Sequence, residues 1–199
     1  MKQFFITAAL ALLLASCAGY QAVEGNMTAD VGDNITVTPQ TTWSKVSYQS
    51  SSAAIWTIDG LGLNELRFLT GIKPGDPLFR VPGVPREDMG TFQAMMLPDE
   101  VMELVGSTLG KLHYGQMRSA GLRPASFGPV TGFRFDLTFT NEDGLQFKGT
   151  ALFAERSGKL DLMLFIAPAE FYFDHYAPAV DQVFASIRVM DARGGKPAS

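Results

Sequence analysis

Apolar positions along this chain follow two rhythms. Between 131 and 167 the period is two. Phe133, Phe135, Leu137 and Phe139 alternate with Arg134, Asp136 and Thr138, which is the pattern of a strand with one buried face. Asn141-Glu142-Asp143-Gly144 supplies a turn, and Leu145, Phe147 and Thr150 to Phe153 supply a return strand. Ser157-Gly158-Lys159 turns again, and Leu160, Leu162, Leu164 and Ile166 alternate on a third strand. The pattern predicts an antiparallel meander over 131–167, preceded by a short strand over 121–127. Further upstream, Ile35-Thr36-Val37-Thr38 is β-branched and reads as a strand stopped by Pro39, with Trp43 and Val46 continuing the sheet. Ala54 to Ile58 reads as another strand. It is joined across Asp59-Gly60 to residues 61–69, where the alternation slips by one between Leu63 and Leu66, as at a bulge.

Two stretches change to the helical period. Val101, Leu104, Val105, Thr108 and Leu112 share one helix face, predicting a helix over about 98–113. Pro98, Asp99 and Glu100 suit its first turn, and Lys111, His113 and a stop at Gly115 suit its end. Phe173, Ala177, Val180, Phe184 and Ile187 define a second helix over about 174–186, with Asp174 as the expected cap and Pro178 in the first turn. A short strand at Ile187-Arg188-Val189 follows. The sum is an α+β fold, with an antiparallel sheet flanked by two helices.

Three segments show neither rhythm. Residues 18–34 carry three glycines and read as a flexible tether reaching at most about 55–60 Å. Residues 191–199 read as a frayed tail. Residues 71–98 are punctuated by Pro74-Gly75, Pro77, Pro82-Gly83, Pro85 and Gly90, and so long an irregular stretch is uncommon inside a compact domain. It is either a surface loop pinned by its apolar residues or a partner-binding loop. In the second case Phe79, Arg80, Val81, Val84 and Arg86 are the candidate contacts.

The N-terminus has the parts of a secretory signal: Lys2, an apolar run from Phe4 to Leu14, then the small residues Ala15 and Ser16. The run is shorter than the ~20 residues a spanning helix needs. Leu14-Ala15-Ser16-Cys17 resembles the lipobox of bacterial lipoproteins. That resemblance implies removal of residues 1–16 and acylation of Cys17, hence a membrane partner held through acyl chains. Ala18 stands where an Asp would imply retention at the inner membrane, so the outer membrane is favoured. The expected organisation is a signal over 1–16, the lipidated cysteine and tether over 17–34, one globular domain over 35–190, and the tail. The element order, with the closing pattern Phe173, Tyr176, Val180 and Phe184-Ala185-Ser186-Ile187, is similar to the PsbP-like α-β-α sandwich. That resemblance implies a curved antiparallel sheet between helices and a binding or assembly role.

Composition narrows the chemistry. Loss of Lys2 leaves fifteen basic against twenty acidic side chains, with no basic run, which argues against nucleic acid as a partner. Cys17 is the only cysteine, so its acylation leaves no thiol for a disulfide, a thiolate metal site or a nucleophile. Ser107 misses the Gly-x-Ser-x-Gly spacing and falls within a helix. His113 reads as a helix-end residue. Glu170, Asp174 and His175, even with Asp136, Asp143 or Asp161 nearby, read as a helix start rather than a metal set. No metal or cofactor is expected, and no catalytic constellation emerges. The first expectation is a non-catalytic lipoprotein of the envelope that binds a protein partner. The alternatives are a small-ligand binder with a pocket lined by Trp43, Trp56, Tyr172 or Tyr176, and a hydrolase whose site is assembled across the fold.

Overall fold

The computed structural model describes residues 19–46 and 53–190. Cys17, the signal and the 191–199 tail lie outside the described residues. Among the described residues eleven strands and two α-helices follow one another in the order β1 (Tyr20–Val23), β2 (Ala29–Gly32), β3 (Ile35–Val37), β4 (Trp43–Val46), β5 (Ala54–Thr57), β6 (Glu65–Ile72), α1 (Pro98–Gly110), β7 (Gly115–Phe127), β8 (Val130–Thr140), β9 (Gln146–Arg156), β10 (Lys159–Pro168), α2 (Tyr172–Ala185) and β11 (Arg188–Val189). Eight strands form one antiparallel sheet in the order β1-β4-β5-β6-β10-β9-β8-β7, and β11-β3-β2 form a second, small sheet. The fold is thus an antiparallel sheet flanked by two helices, with the expected meander as β8, β9 and β10.

Alternation along each strand divides the core between the two faces of the large sheet. Leu160, Leu162, Leu164 and Ile166 of β10 point to one face, with Phe135, Leu137 and Phe139 of β8 and Val101, Leu104, Val105 and Leu109 of α1. Met163, Phe165 and Ala167 point to the other, with Val31, Ile35 and Val37 of the small sheet and Val180, Val183 and Phe184 of α2. In β6 the alternation breaks: Leu66 and Phe68 face α2, while Leu69 and Ile72 both face α1. A bulge between Leu69 and Ile72, with Gly71 at φ 69°, accounts for the reversal. The bulge foreseen near Leu63–Leu66 therefore lies a few residues later, and residues 58–64 are the connection of the β5–β6 hairpin.

Several sequence expectations are corrected. The stretch 18–34 is not a flexible tether: Tyr20–Val23 pairs with β4, and Ala29–Gly32 pairs with β3. Strand β1 escaped notice because it is an edge strand exposed on both faces, so it shows no alternation. The strand foreseen over 121–127 begins at Gly115, and two register shifts, at Gly115/Arg118 and Ala120/Arg123, erase its period. Helix α1 ends before its expected limit, at Gly110, and His113, rather than Gly115, takes the left-handed conformation at φ 63°. At its start, the Glu100 carboxylate accepts the Leu97 N–H at 2.7 Å, one half of a capping box. Helix α2 begins at Tyr172 with Phe171, not Asp174, as its cap, so Pro178 lies inside the helix. There the ring deprives the Asp174 carbonyl of its helical partner.

Phe171 sits at φ 68°, ψ −61°, and the Tyr172 N–H donates to the Glu170 carbonyl at 2.8 Å. This is the rarer, strained form of the γ-turn. The exposed Phe171 ring stacks on His175, with centroids 4.9 Å apart.

Candidate functional site

The irregular segment after β6 is a closed loop. The Gly75 N–H donates to the Phe92 carbonyl at 2.8 Å, and the Phe92 N–H returns to the Asp76 carbonyl at 2.9 Å. These two bonds pin the ends of residues 76–92, as in an Ω-shaped loop packed by its own side chains. Leu78, Val81, Met89 and Phe92 are buried. A single turn of 3-10 helix at Arg86–Asp88 carries Arg86 back across the base. Its guanidinium donates to the Gly75 carbonyl at 3.1 Å and to Asp76 Oδ1 at 2.9 Å. Proline and glycine stop this stretch from joining the sheet, and the buried apolar residues hold it against the sheet.

Between this loop and the α1-side face of β5 and β6 lies an open cleft of about 890 Å³. Ile55 and Leu69 form part of its floor, and Val81 and Val84 part of its loop wall. Arg67 belongs to the floor, with its guanidinium 5.4 Å from the Phe79 ring centre and 2.6 Å from Glu65 Oε2. Arg80 is exposed at the rim. All five residues proposed from sequence for partner contact, Phe79, Arg80, Val81, Val84 and Arg86, line this one cleft. Among the described residues Asp76 is its only lining carboxylate, engaged by Arg86, and none of the lining residues is a serine, cysteine or histidine. Chemically it offers apolar surface and guanidinium groups.

The aromatic residues proposed as a ligand pocket lie elsewhere, and none lines this cleft. Trp43 and Trp56 are buried in the core on the α2 side, with centroids 6.4 Å apart, and Trp56 packs on Phe68 at 4.7 Å. Neither indole N–H has an acceptor among the described residues. Tyr172 and Tyr176 pack on the same core from the first turns of α2. Burial, together with a hydrogen bond to Asp59, pushes the Tyr176 hydroxyl up to about 12.

The carboxylates near His175 do not converge. Asp174 pairs with Lys148 at 3.0 Å and Asp136 with Arg123 at 3.0 Å. Among the described residues no group of three His, Cys, Asp or Glu is placed to hold a metal. His113 is exposed, 3.8 Å from Glu142.

Asp161 belongs to a buried charge cluster that sequence reasoning missed. Its Oδ1 accepts the N–H of the bulged Gly71 at 2.8 Å, and its Oδ2 accepts Arg156 Nε at 2.7 Å. Arg156 also reaches the Asp33 carbonyl at 3.1 Å, and Lys159 Nζ lies 2.9 Å from Asp33 Oδ1. The cluster ties the β2–β3 turn, the β6 bulge and the β9–β10 hairpin together. Burial pushes the Asp161 carboxyl up, against the opposing pull of the Gly71 N–H and Arg156. No sequence signal marks it, because Asp33, Gly71 and Asp161 are distant along the chain.

A smaller groove of about 270 Å³ opens between β8 and α2. Arg134 fills its polar side, paired with Asp181 at 2.7 Å and bonded to Thr150 at 2.9 Å.

The layered arrangement defines the class of fold: it is that of the PsbP-like sandwich. The chain is similar to the solution structure of cyanobacterial PsbP (CyanoP) from Synechocystis sp. PCC 6803, at 15% identity over 88% of this chain and 95% of that one, with a TM-score of 0.56. A weaker likeness, TM-score 0.49 at 9% identity, links 88% of this chain to 52% of a Bacteroides thetaiotaomicron protein. Another, TM-score 0.38 at 9% identity, links 86% of it to 92% of LpqN, involved in cell envelope biogenesis of Mycobacterium tuberculosis. No family model and no curated protein matches the chain. Among the described residues no helix is long and apolar enough to cross a membrane.

Proposed function

We propose that this protein is a lipid-anchored, non-catalytic component of a bacterial envelope, whose domain docks a partner protein in the cleft beneath the 76–92 loop. One observation carries the reading. Five residues singled out from a proline-rich segment line one open, arginine-bearing apolar cleft, backed by a rigid sheet. Function tends to sit on loops held by such a scaffold. The anchor is assigned to Cys17 through the lipobox resemblance, and the outer membrane is favoured by Ala18. Site-specific photocrosslinking in intact cells tests the docking. A photoreactive residue at Arg80 or Val84 should give one discrete adduct, and the same residue at Ala120 on β7 should give none. Equal adducts at all three positions, or none at 80 and 84, would overturn it.

The size of the cleft supports a second reading. Its volume of about 890 Å³ lies within the range of small-molecule sites. A ligand there would raise the thermal midpoint of the isolated domain while leaving tryptophan emission unchanged, because Trp43 and Trp56 do not line the cleft.

A further inference from the structure

The two edges of the eight-stranded sheet are built differently. Edge β7 carries the devices that keep an exposed edge from pairing with other chains: Pro124, two register shifts, and the charges of Arg118 and Arg123. Edge β1, Tyr20-Gln21-Ala22-Val23, has no charge, no proline and no bulge, and among the described residues shortness is its only protection. Two large apolar side chains stand in the open here: Tyr20 at its first position and Met27 in the following turn, each 62% exposed. An edge so built is open to pairing with another chain unless something else covers it.

Its position along the chain identifies the cover. Two residues, Ala18 and Gly19, separate Cys17 from Tyr20, and the three Cα–Cα steps reach at most about 11 Å. The expected long tether does not exist, because residues 20–23 are stitched to β4 over four registered pairs. From these observations we propose that β1, with Tyr20 and Met27, lies against the headgroup layer of the membrane that holds Cys17, and that the sheet stands edge-on with β7 outermost. This rests on the lipid-anchor reading above. Tyrosine is at home in that layer, where its ring is part apolar and its hydroxyl is hydrated. The free N–H and C=O groups of β1 meet water and headgroups there rather than a strand. Seven inter-strand spacings put β7 about 34 Å from β1. Strand β5, which supplies Ile55 to the cleft, is two spacings from β1, or about 10 Å. The cleft therefore opens in the membrane-proximal layer, within reach of a partner seated in or on the bilayer.

Acylation consumes the only native thiol, so one introduced cysteine can be labelled selectively. The lipidated protein carrying Gln21→Cys or Ala120→Cys, labelled with an environment-sensitive fluorophore, would be placed in phosphatidylethanolamine–phosphatidylglycerol vesicles. A fraction of the lipids would carry a nitroxide near the headgroup. The label at 21 should lose most of its emission, and the label at 120 should lose none. Equal quenching at both positions, or stronger quenching at 120, overturns the edge-on arrangement. Intact mass separates the two failures. An acylated chain with unquenched label at 21 overturns the arrangement alone, whereas a chain with no added lipid mass at Cys17 overturns the anchor and the arrangement with it.

Discussion

On the α2 side of the sheet, Trp43, Trp56, Leu66, Phe68, Met163 and Phe165 are covered by a helix and by the small sheet, so regular structure lies over regular structure. On the α1 side, the helix covers only part of the face, and over β5 and β6 the cover is a proline-rich loop held by two backbone hydrogen bonds and a few buried side chains. The first arrangement leaves no cleft at the tryptophans. The second leaves about 890 Å³ open. The contrast separates what stabilises this protein from what it presents. Both tryptophans, conspicuous in the sequence, belong to the closed side, and the modest Val, Pro and Arg residues of the loop, with Phe79, shape the open one.

The largest test removes a closed-face anchor. Trp56→Ala should cost about 3–5 kcal/mol, since the ring is fully buried between Trp43 and Phe68. Urea unfolding measures it, and a loss near 1 kcal/mol would erase the distinction between the faces.

Next is the charged clip. Arg156→Ala leaves Asp161 buried without its cation, and should cost about 3 kcal/mol at neutral pH, the lower end for a broken buried pair because Lys159 still serves Asp33. The pH dependence has a definite sign. The folded carboxyl of Asp161 lies above its unfolded value, so its contribution is present below that unfolded value and is lost as pH rises through the raised one. Removing Arg156 removes a lowering influence and extends that window upward. Urea midpoints from pH 4 to 8 should therefore fall more steeply for Arg156→Ala than for the native chain, and parallel curves would sink this account.

Leu78→Ala, on the loop side, should cost about 2 kcal/mol, less than the tryptophan, because a loop can settle into the space it loses. A larger cost than that of Trp56→Ala would make the loop part of the fold's foundation rather than a fitted cover.

The smallest effect is at Tyr176→Phe, about 1 kcal/mol, for the loss of the bond to Asp59. The folded hydroxyl is held at about 12, above the ordinary 10, so this stabilisation is whole below pH 10 and lost as pH rises through 12. Burial also pushes the Tyr114 hydroxyl up, so ultraviolet titration of the phenolates should show a component near 12 in the native protein that is missing from Tyr176→Phe, with the Tyr114 component unchanged.

Legibility in the sequence followed burial. The meander is readable because β8 alternates and β10 is a nearly continuous apolar run bounded by turn signals, and α1 because its apolar stripe keeps the helical period. Strands β1 and β2 were not, since four-residue strands at the margin of a sheet carry no such rhythm. Trp43 and Trp56 enter the alternative of a ligand pocket because a tryptophan suits a binding site as well as a core, and type alone does not separate the two. The loop residues were picked out by their prolines and glycines, although the cleft they share depends on how the loop folds back on the sheet.

By itself the sequence determined the periodic elements, their order, the irregular segment between β6 and α1, and the isolation of Cys17, because each is written in near neighbours along the chain. Only the tertiary structure decided that the supposed tether includes a sheet edge, that Asp33, Gly71, Arg156 and Asp161 meet, and that the larger cleft opens on the α1 side, away from the tryptophans. Those outcomes depend on pairing and packing between residues far apart in the chain, for which local periodicity carries no information.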